Sequence, residues 1–269
     1  MKYFALALLL SVSPVYAWDI DKMSAQIENT NVIVGGVCSG TIISVPQRLV
    51  LTAYHCVDSQ FTEVTEKVVD PKTGIVTEIK RQKLIPLKIR TNKVHDYKVV
   101  STAEYAVRIV GSDNLNDIAL LQVIDTDYKP AAAVTLAPDT YKYKRGLRIF
   151  AVGNPAIEFD NSITEGIISS PERSLEIDGK EFKFFQHSAS IIGGTSGGSI
   201  LNDDGELIGT VSAGLRGANI AFAVPISFTK DMLKKLKFMN SDGTLAPDGP
   251  PAPTPIYPIV APSSAGVKP

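Results

Sequence analysis

Hydrophobic positions in this chain cluster in short runs rich in Val, Ile, Leu and aromatic residues, and Gly, Pro, Asn and Asp separate the runs. Such runs are typical of β-strands bounded by turns. They include SGTIIS, RLVLTA, DIALLQV, GLRIFAVG, ELIGTVSAG and NIAFAVP. Because repeated helical spacing is missing between them, the pattern predicts an all-β barrel or sandwich rather than a parallel α/β fold.

Two segments between these runs predict how the strands are organised. At 67–80, KVVDPKTGIVTEIK places Asp-Pro-Lys-Thr-Gly between two alternating stretches, which is a hairpin signal. The Lys-rich stretch 61–102 as a whole is expected to form surface hairpins. Residues 125–143 are expected to connect two halves of the fold.

One segment near the end has helical spacing. Phe228, Met232 and Leu236 recur on one side of a helix, which predicts a helix over 227–239. From residue 241 onward Pro, Gly, Ala and Ser dominate. Such a composition cannot build a core, so 241–269 is expected to be a flexible, Pro-rich tail.

The first 17 residues have the features of a secretory signal peptide. Lys2 gives a positive start, an apolar run follows, and Val15-Tyr16-Ala17 resembles a cleavage site. The apolar run is too short to span a bilayer as a helix. We therefore expect a secreted or periplasmic protein without a membrane span after signal removal, with one folded domain over 18–240.

Composition restricts the partners and cofactors. The chain has 269 residues, 44% of them hydrophobic, and a net charge of −1, which gives no electrostatic basis for binding nucleic acid. In an exported chain, the two cysteines Cys38 and Cys56 are expected to form one disulfide, worth about 3 kcal/mol. Two Cys and three scattered His give no metal-ligand spacing, so neither a metal nor another cofactor is expected.

Two residues beside apolar runs are candidates for acid–base chemistry. His55 follows LVLTA and precedes Cys56, so a disulfide would hold its turn in place. A general base has to be held firmly, because small displacements reduce the rate. Asp117 lies directly before IALLQV and would fix the tautomer of an imidazole, although a role as a turn or cap residue is the alternative.

A glycine-rich segment, IIGGTSGGSI at 191–200, contains Ser196. A flexible loop is one interpretation; a phosphate-binding loop is excluded because the Lys that such loops need does not follow. Gly194 would let its own N–H and that of Ser196 point to one position, as an oxyanion hole requires. The chain order His, Asp, Ser is one of the known orders of a catalytic triad.

Together these segments resemble a known family. CSGTIIS, LVLTAYHC, NDIALLQV and GGTSGGSI are similar to the catalytic blocks of chymotrypsin-like (trypsin-like) serine proteases. AVGNPA, ITEGIISS and NIAFAVP narrow the resemblance to the bacterial HtrA/Deg-type protease domain, over about residues 30–226. The resemblance implies two six-stranded antiparallel β-barrels with the active site in the cleft between them, followed by a C-terminal helix.

The resemblance also assigns roles to residues. It implies a serine endopeptidase acting on polypeptides, with His55 as general base, Asp117 as its orienting acid and Ser196 as nucleophile. Ser212 and Gly214, in TVSAG, match the strand that pairs with the substrate backbone. HtrA proteases usually carry a peptide-binding PDZ domain after the protease domain, where this chain has a Pro-rich tail, so regulation and oligomeric state stay open.

The tetrapeptide at 33–36, IVGG, matches the start of activated trypsin-like enzymes. In those enzymes the new N-terminus pairs with an Asp just before the nucleophile. Thr195 occupies that position here and cannot form an ion pair. Ile33 also lies close before Cys38, so IVGG is expected to be the first barrel strand, and signal removal is expected to suffice for activation.

Specificity is expected to depend on a pocket for the residue before the scissile bond (P1). Its expected lining is Ser190, Ile191, Gly214 and Ala221. No Asp stands where a Lys- or Arg-selective pocket needs one, so small or medium apolar P1 residues are expected. His187 either reaches the wall of this pocket or packs within its own strand.

Two other functions stay open. The first is a non-catalytic protein of the same fold that holds peptides in the cleft, although His55, Asp117, Ser196 and Gly194 are all present. In the second, the Pro-rich tail is the functional part and the barrels are its scaffold.

Overall fold

The computed structural model describes residues 20–58, 61–69, 71, 74, 76–84, 86–95, 98–177, 179–215 and 217–247. The expected signal peptide and residues 248–269 of the expected tail lie outside the described residues. The described helices and strands, in chain order, are α1 (Ile20–Thr30), β1 (Asn31–Val34), β2 (Cys38–Ser44), β3 (Leu49–Thr52), β4 (Phe61–Val69), β5 (Val76–Leu84), β6 (Lys88–His95), β7 (Lys98–Asp113), β8 (Ile118–Val123), β9 (Arg148–Gly153), β10 (Ser162–Ile177), β11 (Lys180–His187), β12 (Ser199–Leu201), β13 (Leu207–Gly214), β14 (Ala221–Pro225) and α2 (Ile226–Lys235).

Most of these strands close into two six-stranded antiparallel barrels. The first barrel has the order β1-β2-β3-β8-β7-β6, and the second has the order β10-β11-β14-β13-β12-β9. This architecture confirms the predicted fold class. The strands β4 and β5 form a separate hairpin in which Val69 pairs with Val76, as the turn signal between them predicted.

The strands of the first barrel that come earliest in the chain are buried along their whole length. Every residue of β1, β2 and β3 is buried, unlike the alternating burial of a strand with one face in solvent. One face fills the barrel and the other packs in a cluster that spans both barrels. Ile43, Leu51 and Leu120 of the first barrel share this cluster with Phe150 and Leu207 of the second.

A helix that the sequence analysis did not predict, α1, precedes the first strand. Met23 and Ile27 lie one turn apart on α1 and are buried in the cluster that spans both barrels. α1 runs directly into β1, where Ile33 is 1% exposed and pairs with Ser39 of β2 and Arg90 of β6. IVGG is therefore an internal strand and turn, as predicted.

Residues 124–147 contain no helix or strand and run between the two barrels. The N–H of Val134 donates to the carbonyl of Ile42 in the first barrel at 2.9 Å, and the N–H of Ala137 donates to Leu207 in the second at 3.0 Å. The segment expected to connect two halves, 125–143, thus contacts both barrels.

The C-terminal helix is shorter than its pattern suggested. α2 ends at Lys235, and Lys237 adopts a left-handed conformation with φ of 62°, so that the apolar residues after it turn into the core. Residues 241–247 differ from the flexible tail expected of their composition. They fold back because Leu245 packs on the core, and the N–H of Ala246 donates to Phe238 at 2.9 Å. Neither α1 nor α2 has the length and apolar character to cross a bilayer.

Candidate active site

Antiparallel pairing of β3 with β8 brings His55 and Asp117 together. Thr52 ends β3 and pairs with Ala119 near the start of β8, so residues that follow β3 lie beside residues that precede β8. His55 stands in a short turn after β3, and Asp117 immediately precedes β8. Nδ1 of His55 lies 3.0 Å from each carboxylate oxygen of Asp117, and the backbone N–H of His55 donates to Oδ1 at 3.0 Å.

The surroundings of this pair favour an ionised carboxylate and a basic imidazole. Burial of Asp117 by itself raises the pKa of its carboxyl group, but hydrogen bonds from His55 and Ser212 hold this pKa below its usual range. The hydrogen bond to Asp117 raises the pKa of His55 and outweighs burial, which lowers it. Asp117 thereby favours the tautomer with hydrogen on Nδ1 and leaves Nε2 to accept a proton.

The expected disulfide is present and joins Cys38 in β2 to Cys56 beside His55. It fixes the turn that carries His55 to the neighbouring strand. Both sulfur atoms lie within 4.8 Å of a ring nitrogen of His55, and Sγ of Cys56 is 3.8 Å from the carbonyl oxygen of Ser196. Because the sulfurs are bonded to each other, this group lacks the thiolates that a zinc site needs.

The segment before β12 brings Ser196 to the same place from the second barrel. The N–H of Ser39 in β2 donates to the carbonyl of Ser196 at 2.8 Å. Oγ of Ser196 donates to the carbonyl of Ser212 at 3.2 Å, and Oγ of Ser212 donates to Oδ2 of Asp117. Within the described residues, the Ser196 hydroxyl makes this bond rather than one to the imidazole of His55. Ser212, expected only to pair with substrate backbone, thus links Ser196 to Asp117.

Gly194 and Gly197 have backbone conformations that favour glycine and contacts that leave no room for a side chain. Gly194 has φ of +100°, and a Cβ there would lie 2.4 Å from the carbonyl oxygen of Asn154. Gly197 has φ of +80°, and its Cβ would lie 2.3 Å from the carbonyl oxygen of Ser39. The glycines around Ser196 therefore let the segment pack closely on the backbone of both barrels. The sequence analysis did not anticipate this reason for Gly197.

Within the described part of the chain, the backbone N–H groups of Gly194 and Ser196 have no hydrogen-bond acceptor. The carbonyl of Gly193 accepts a hydrogen bond from the N–H of Ala156 at 2.7 Å. In a trans peptide the following N–H, that of Gly194, points to the opposite side. No described residue accepts a hydrogen bond from the N–H of Gly194 or of Ser196. Two such donors at a serine are compatible with the predicted oxyanion hole.

A cavity of about 480 Å³ opens beside Ser196. Ser190, Ile191, Ser212 and Gly214, all predicted to bind substrate, line it. The side chain of Ile191 lies over Gly214, since a Cβ built at Gly214 would be 3.1 Å from Cδ1 of Ile191. The cavity is therefore narrow at this point.

Ala221, the remaining residue of the predicted pocket, does not line this cavity. It lies in β14, where it pairs with Gly214 of β13, and it is buried. Residues that the sequence analysis missed complete the lining: Ile192, Gly193, Thr195, Ala213, Leu215, Gly217, Ala218 and Asn219. Those at 215–219 lie between β13 and β14, and the only sequence signal for them was their position directly after TVSAG.

His187, for which two positions were considered, lies inside the second barrel and does not line the cavity. It is 0% exposed, and neither ring nitrogen has a hydrogen-bond partner among the described residues. Burial lowers its pKa to about 4. The interpretation as a packed strand residue fits these surroundings.

The chain is similar in sequence and in fold to known proteins. The family model of a trypsin-like peptidase domain matches residues 38–209. A probable periplasmic serine endoprotease DegP-like from Marinomonas sp. (strain MWYL1) is 36% identical over 149 residues, covering 53% of this chain and 29% of that protein. A serine protease HtrA-like from Staphylococcus aureus (strain MRSA252) is 32% identical over 141 residues, covering 48% of this chain and 18% of that protein.

The chain spans less than a third of the length of these curated relatives. Among solved structures, the MamO protease domain from Magnetospirillum magneticum in its apo form matches with a TM-score of 0.58. The match covers 76% of this chain and 95% of that chain at 18% identity, and so concerns the fold alone. Since the family model covers more than half of the sequence and includes the segments that carry His55, Asp117 and Ser196, the chain belongs to the trypsin-like peptidase family.

Proposed function

We propose that the chain is an exported serine endopeptidase that hydrolyses peptide bonds of polypeptides through His55, Asp117 and Ser196. The proposal rests on one observation: the His55–Asp117 pair, at 3.0 Å, lies beside Ser196, whose hydroxyl donates to the backbone carbonyl of Ser212 while the Ser212 hydroxyl donates to Asp117. Once the Ser196 hydroxyl turns to Nε2 of His55, such a pair can take its proton and activate it for attack on a carbonyl carbon. Membership of the trypsin-like peptidase family, and relatives named serine endoproteases, support the same activity.

Acylation requires the Ser196 hydroxyl to turn from the carbonyl of Ser212 to Nε2 of His55. As Oγ bonds to the scissile carbonyl carbon, Nε2 takes the hydroxyl proton and then gives it to the leaving amine. Asp117 stabilises the imidazolium through the Nδ1–H bond. Water next attacks the acyl-enzyme with His55 again as base, which releases the acid product and restores Ser196. Catalytic hydrogen bonds are often long or misaligned without substrate, so the resting position of Ser196 is compatible with this path.

The tetrahedral intermediate places negative charge on the former carbonyl oxygen. The unpaired N–H groups of Gly194 and Ser196 are the donors available to it. Because the carbonyl of Gly193 is hydrogen-bonded to Ala156, the Gly194 N–H needs no reorganisation before it can donate. Removing one donor of this kind costs about 10²- to 10³-fold in kcat in a measured protease.

Substrate selection follows from the narrow cavity. Ser190, Ile191 and Gly214 would contact the P1 side chain, and Ile191 occupies the space that a long side chain needs. Among the residues that the structure describes, the lining has no charged side chain to pair with a Lys, Arg or Glu of the substrate. Small or medium apolar P1 residues are therefore the proposed preference.

Export and activation are proposed to need only one cut, after Ala17. The leader pattern at 1–17, the disulfide, which persists in oxidising compartments, and relatives named periplasmic support a periplasmic or secreted location. Ile33 is buried within β1, so a cut before it would sever a barrel strand from α1. N-terminal sequencing of the active form should give Trp18; a start at Ile33 would contradict this part of the proposal.

The central test compares the mature chain with its Ser196→Ala variant. Both are treated with a serine-directed fluorophosphonate and with a peptide library, and cleavage products are sequenced by mass spectrometry. We expect labelling and cleavage after small or medium apolar residues in the wild type, and neither in Ser196→Ala.

The non-catalytic alternative has one observation in its favour, the bond from the Ser196 hydroxyl to Ser212 instead of to His55. It predicts that both proteins bind library peptides equally without labelling or turnover. That result would contradict the endopeptidase proposal.

A further inference from the structure

A cluster of polar side chains, all buried except the half-buried Asn161, lies where the first barrel meets the oxyanion loop, which we define as residues 192–196. This polar seam cluster consists of Asn31, Ser39, Asn154 and Asn161. Asn31 and Ser39 belong to the first barrel, and Asn154 and Asn161 lie between β9 and β10 of the second. Burying amides and hydroxyls is costly unless they are hydrogen-bonded, and here they bond to one another and to the backbone.

The hydroxyl of Ser39 has a direction that its neighbours determine. Oγ accepts hydrogen bonds from the backbone N–H of Asn154 at 2.8 Å and from its Nδ2 at 3.2 Å. Both are donors, so the single hydroxyl proton of Ser39 is left for its third neighbour, the carbonyl oxygen of Gly194 at 2.7 Å. Ser39 is 0% exposed, so this bond is shielded from bulk solvent.

The orientation of the Asn154 amide is determined in the same way. Its Oδ1 accepts from the backbone N–H of Asn161 at 3.1 Å and from Nδ2 of Asn31 at 2.9 Å. Its Nδ2 donates to the carbonyl of Val32 at 3.0 Å as well as to Ser39. Because a backbone N–H lies on one side of the amide and a backbone carbonyl on the other, exchanging its oxygen and nitrogen would place donor against donor and acceptor against acceptor.

The same segment holds the other side of Gly194. Two residues after Asn154, the N–H of Ala156 donates to the carbonyl of Gly193. Ala156 and Asn161 have positive φ values of 52° and 55°, which are uncommon for residues other than glycine and occur where surrounding contacts enforce them. Both peptide units that flank Gly194 are therefore hydrogen-bonded through their carbonyls, one to Ala156 and the other to Ser39.

The oxyanion loop needs such support because its own residues do not supply it. Gly193 and Gly194 can adopt many conformations, and a rotated peptide would point the Gly194 N–H away from Ser196. In activated trypsin-like enzymes an ion pair with an Asp before the nucleophile stabilises the loop, but the hydroxyl of Thr195 donates to the carbonyl of Ile192 within the same loop.

We propose that Ser39 and Asn154 are positioning residues that hold the oxyanion loop in its competent conformation through uncharged hydrogen bonds. This inference rests on the proposed endopeptidase activity, and it gives that activity a means of activation that needs no new N-terminus. Neither residue touches the reacting atoms. Their effect reaches the reaction through the direction of the Gly194 N–H, which stabilises the transition state and not the bound substrate.

The test is Ser39→Ala in the full chain, with Ser170→Ala as the matched control. Ser170 is also buried, and its hydroxyl also donates to a backbone carbonyl, that of Glu172 at 3.0 Å, but it lies in β10 away from the loop. For Ser39→Ala we expect kcat to fall about tenfold with KM unchanged within about twofold. For Ser170→Ala we expect both constants to match the wild type.

Two inhibitors separate positioning from general loss of structure. A peptide boronic acid forms a tetrahedral adduct that uses the oxyanion hole, whereas a reduced-bond analogue of the same peptide lacks the scissile carbonyl. In Ser39→Ala the inhibition constant of the boronic acid should rise about tenfold, and that of the analogue should change less than about twofold. Asn154→Ala, measured in the same way, should show the same difference between the two inhibition constants. This second variant tests the inference if Ser39→Ala does not fold.

Equal weakening of both inhibitors, or an unchanged kcat and boronic acid constant in a folded Ser39→Ala protein, would overturn the inference. Failure of the proposed function gives a different result, because the wild type itself would then neither turn over the peptide nor react with the fluorophosphonate.

Discussion

His55 and His187 lie in two regions of the molecule that shift the pKa of an imidazole in opposite directions. His55 lies at the cleft, where 45% of its side chain is exposed and Nδ1 is paired with Asp117. His187 lies inside the second barrel, where its ring packs 6.1 Å from that of Phe185 and neither nitrogen has a partner among the described residues. The pKa of His55 is raised, and that of His187 is lowered to about 4.

The difference shows that a charged partner affects the pKa of an imidazole more strongly here than burial does. Burial lowers the pKa of both imidazoles, but only His55 has a carboxylate whose hydrogen bond reverses the effect. The raised pKa suits the role proposed for His55, in which its imidazole accepts a proton from Ser196. His187 stays neutral over the same range and acts as a core residue.

The largest expected effect comes from Asp117→Asn, which removes the negative charge that pairs with His55. Asn tolerates the left-handed conformation of residue 117, where φ is 49°, so the backbone should be preserved. An amide can donate to Nδ1 and so favour the wrong tautomer of His55, and a comparable substitution lowers kcat about 10⁴-fold in a known triad. Steady-state kinetics at pH 8 measure this loss.

Asp113→Asn is the matched control for that variant. Asp113 lies in the same turn, and its Oδ1 accepts from the N–H groups of Leu115 and Asn116 at 3.0 and 3.1 Å, which an Asn side-chain oxygen can also do. Its kcat should stay within about threefold of the wild type. Similar losses in the two variants would mean that the turn, and not the carboxylate beside His55, controls activity.

The next largest effect concerns the stability of the second barrel. Below pH 6.5 the unfolded chain protonates His187, whereas the folded chain does so only near pH 4. The free energy of unfolding should therefore fall by about 3 kcal/mol from this residue alone as the pH drops from 7 to 4. His187→Leu should lack that part of the decrease, which urea unfolding in a Ser196→Ala background measures without autolysis.

His187→Gln separates titration from polarity in this experiment. Gln keeps a buried polar group but cannot titrate, so its pH dependence should match that of His187→Leu even if its stability at pH 7 is lower. If the wild type and both variants lost stability in parallel between pH 7 and 4, the contrast between the two histidines would not hold.

Local sequence patterns predicted the parts of this molecule that neighbouring residues determine. Apolar runs marked the barrel strands, and the order of His55, Asp117 and Ser196 beside such runs indicated a candidate triad, whereas the cleft was implied by the resemblance to chymotrypsin-like proteases. The Cys38–Cys56 bridge followed from the cysteine count and the leader pattern.

Features that depend on contacts between distant segments were not predicted. Ser39 and Asn154 meet only because the register of two barrels brings them together, and neither residue type marks such a contact in the sequence. Among the side chains of α1 whose burial is described, only Met23 and Ile27 are apolar and buried in the core, which is too weak a pattern for a helix prediction. In the tail-like segment 241–247, Leu245 packs on the core and Ala246 is hydrogen-bonded to Phe238, and neither contact has a signal in the composition.

The smallest expected effect is a change in the pKa of His55 caused by Asp58→Asn. The negative charge of Asp58 contributes to the raised pKa of His55, after the larger influences of the hydrogen bond and charge of Asp117. Since only neutral His55 accepts the Ser196 proton, Asp58→Asn should extend activity to lower pH by shifting the acid limb of kcat/KM downward. Asp127→Asn, an exposed substitution of the same kind, should leave the limb in place. The shift should disappear in 1 M salt, which screens exposed charges beyond about 3 Å; a shift that persists there would mean that Asp58 acts through structure.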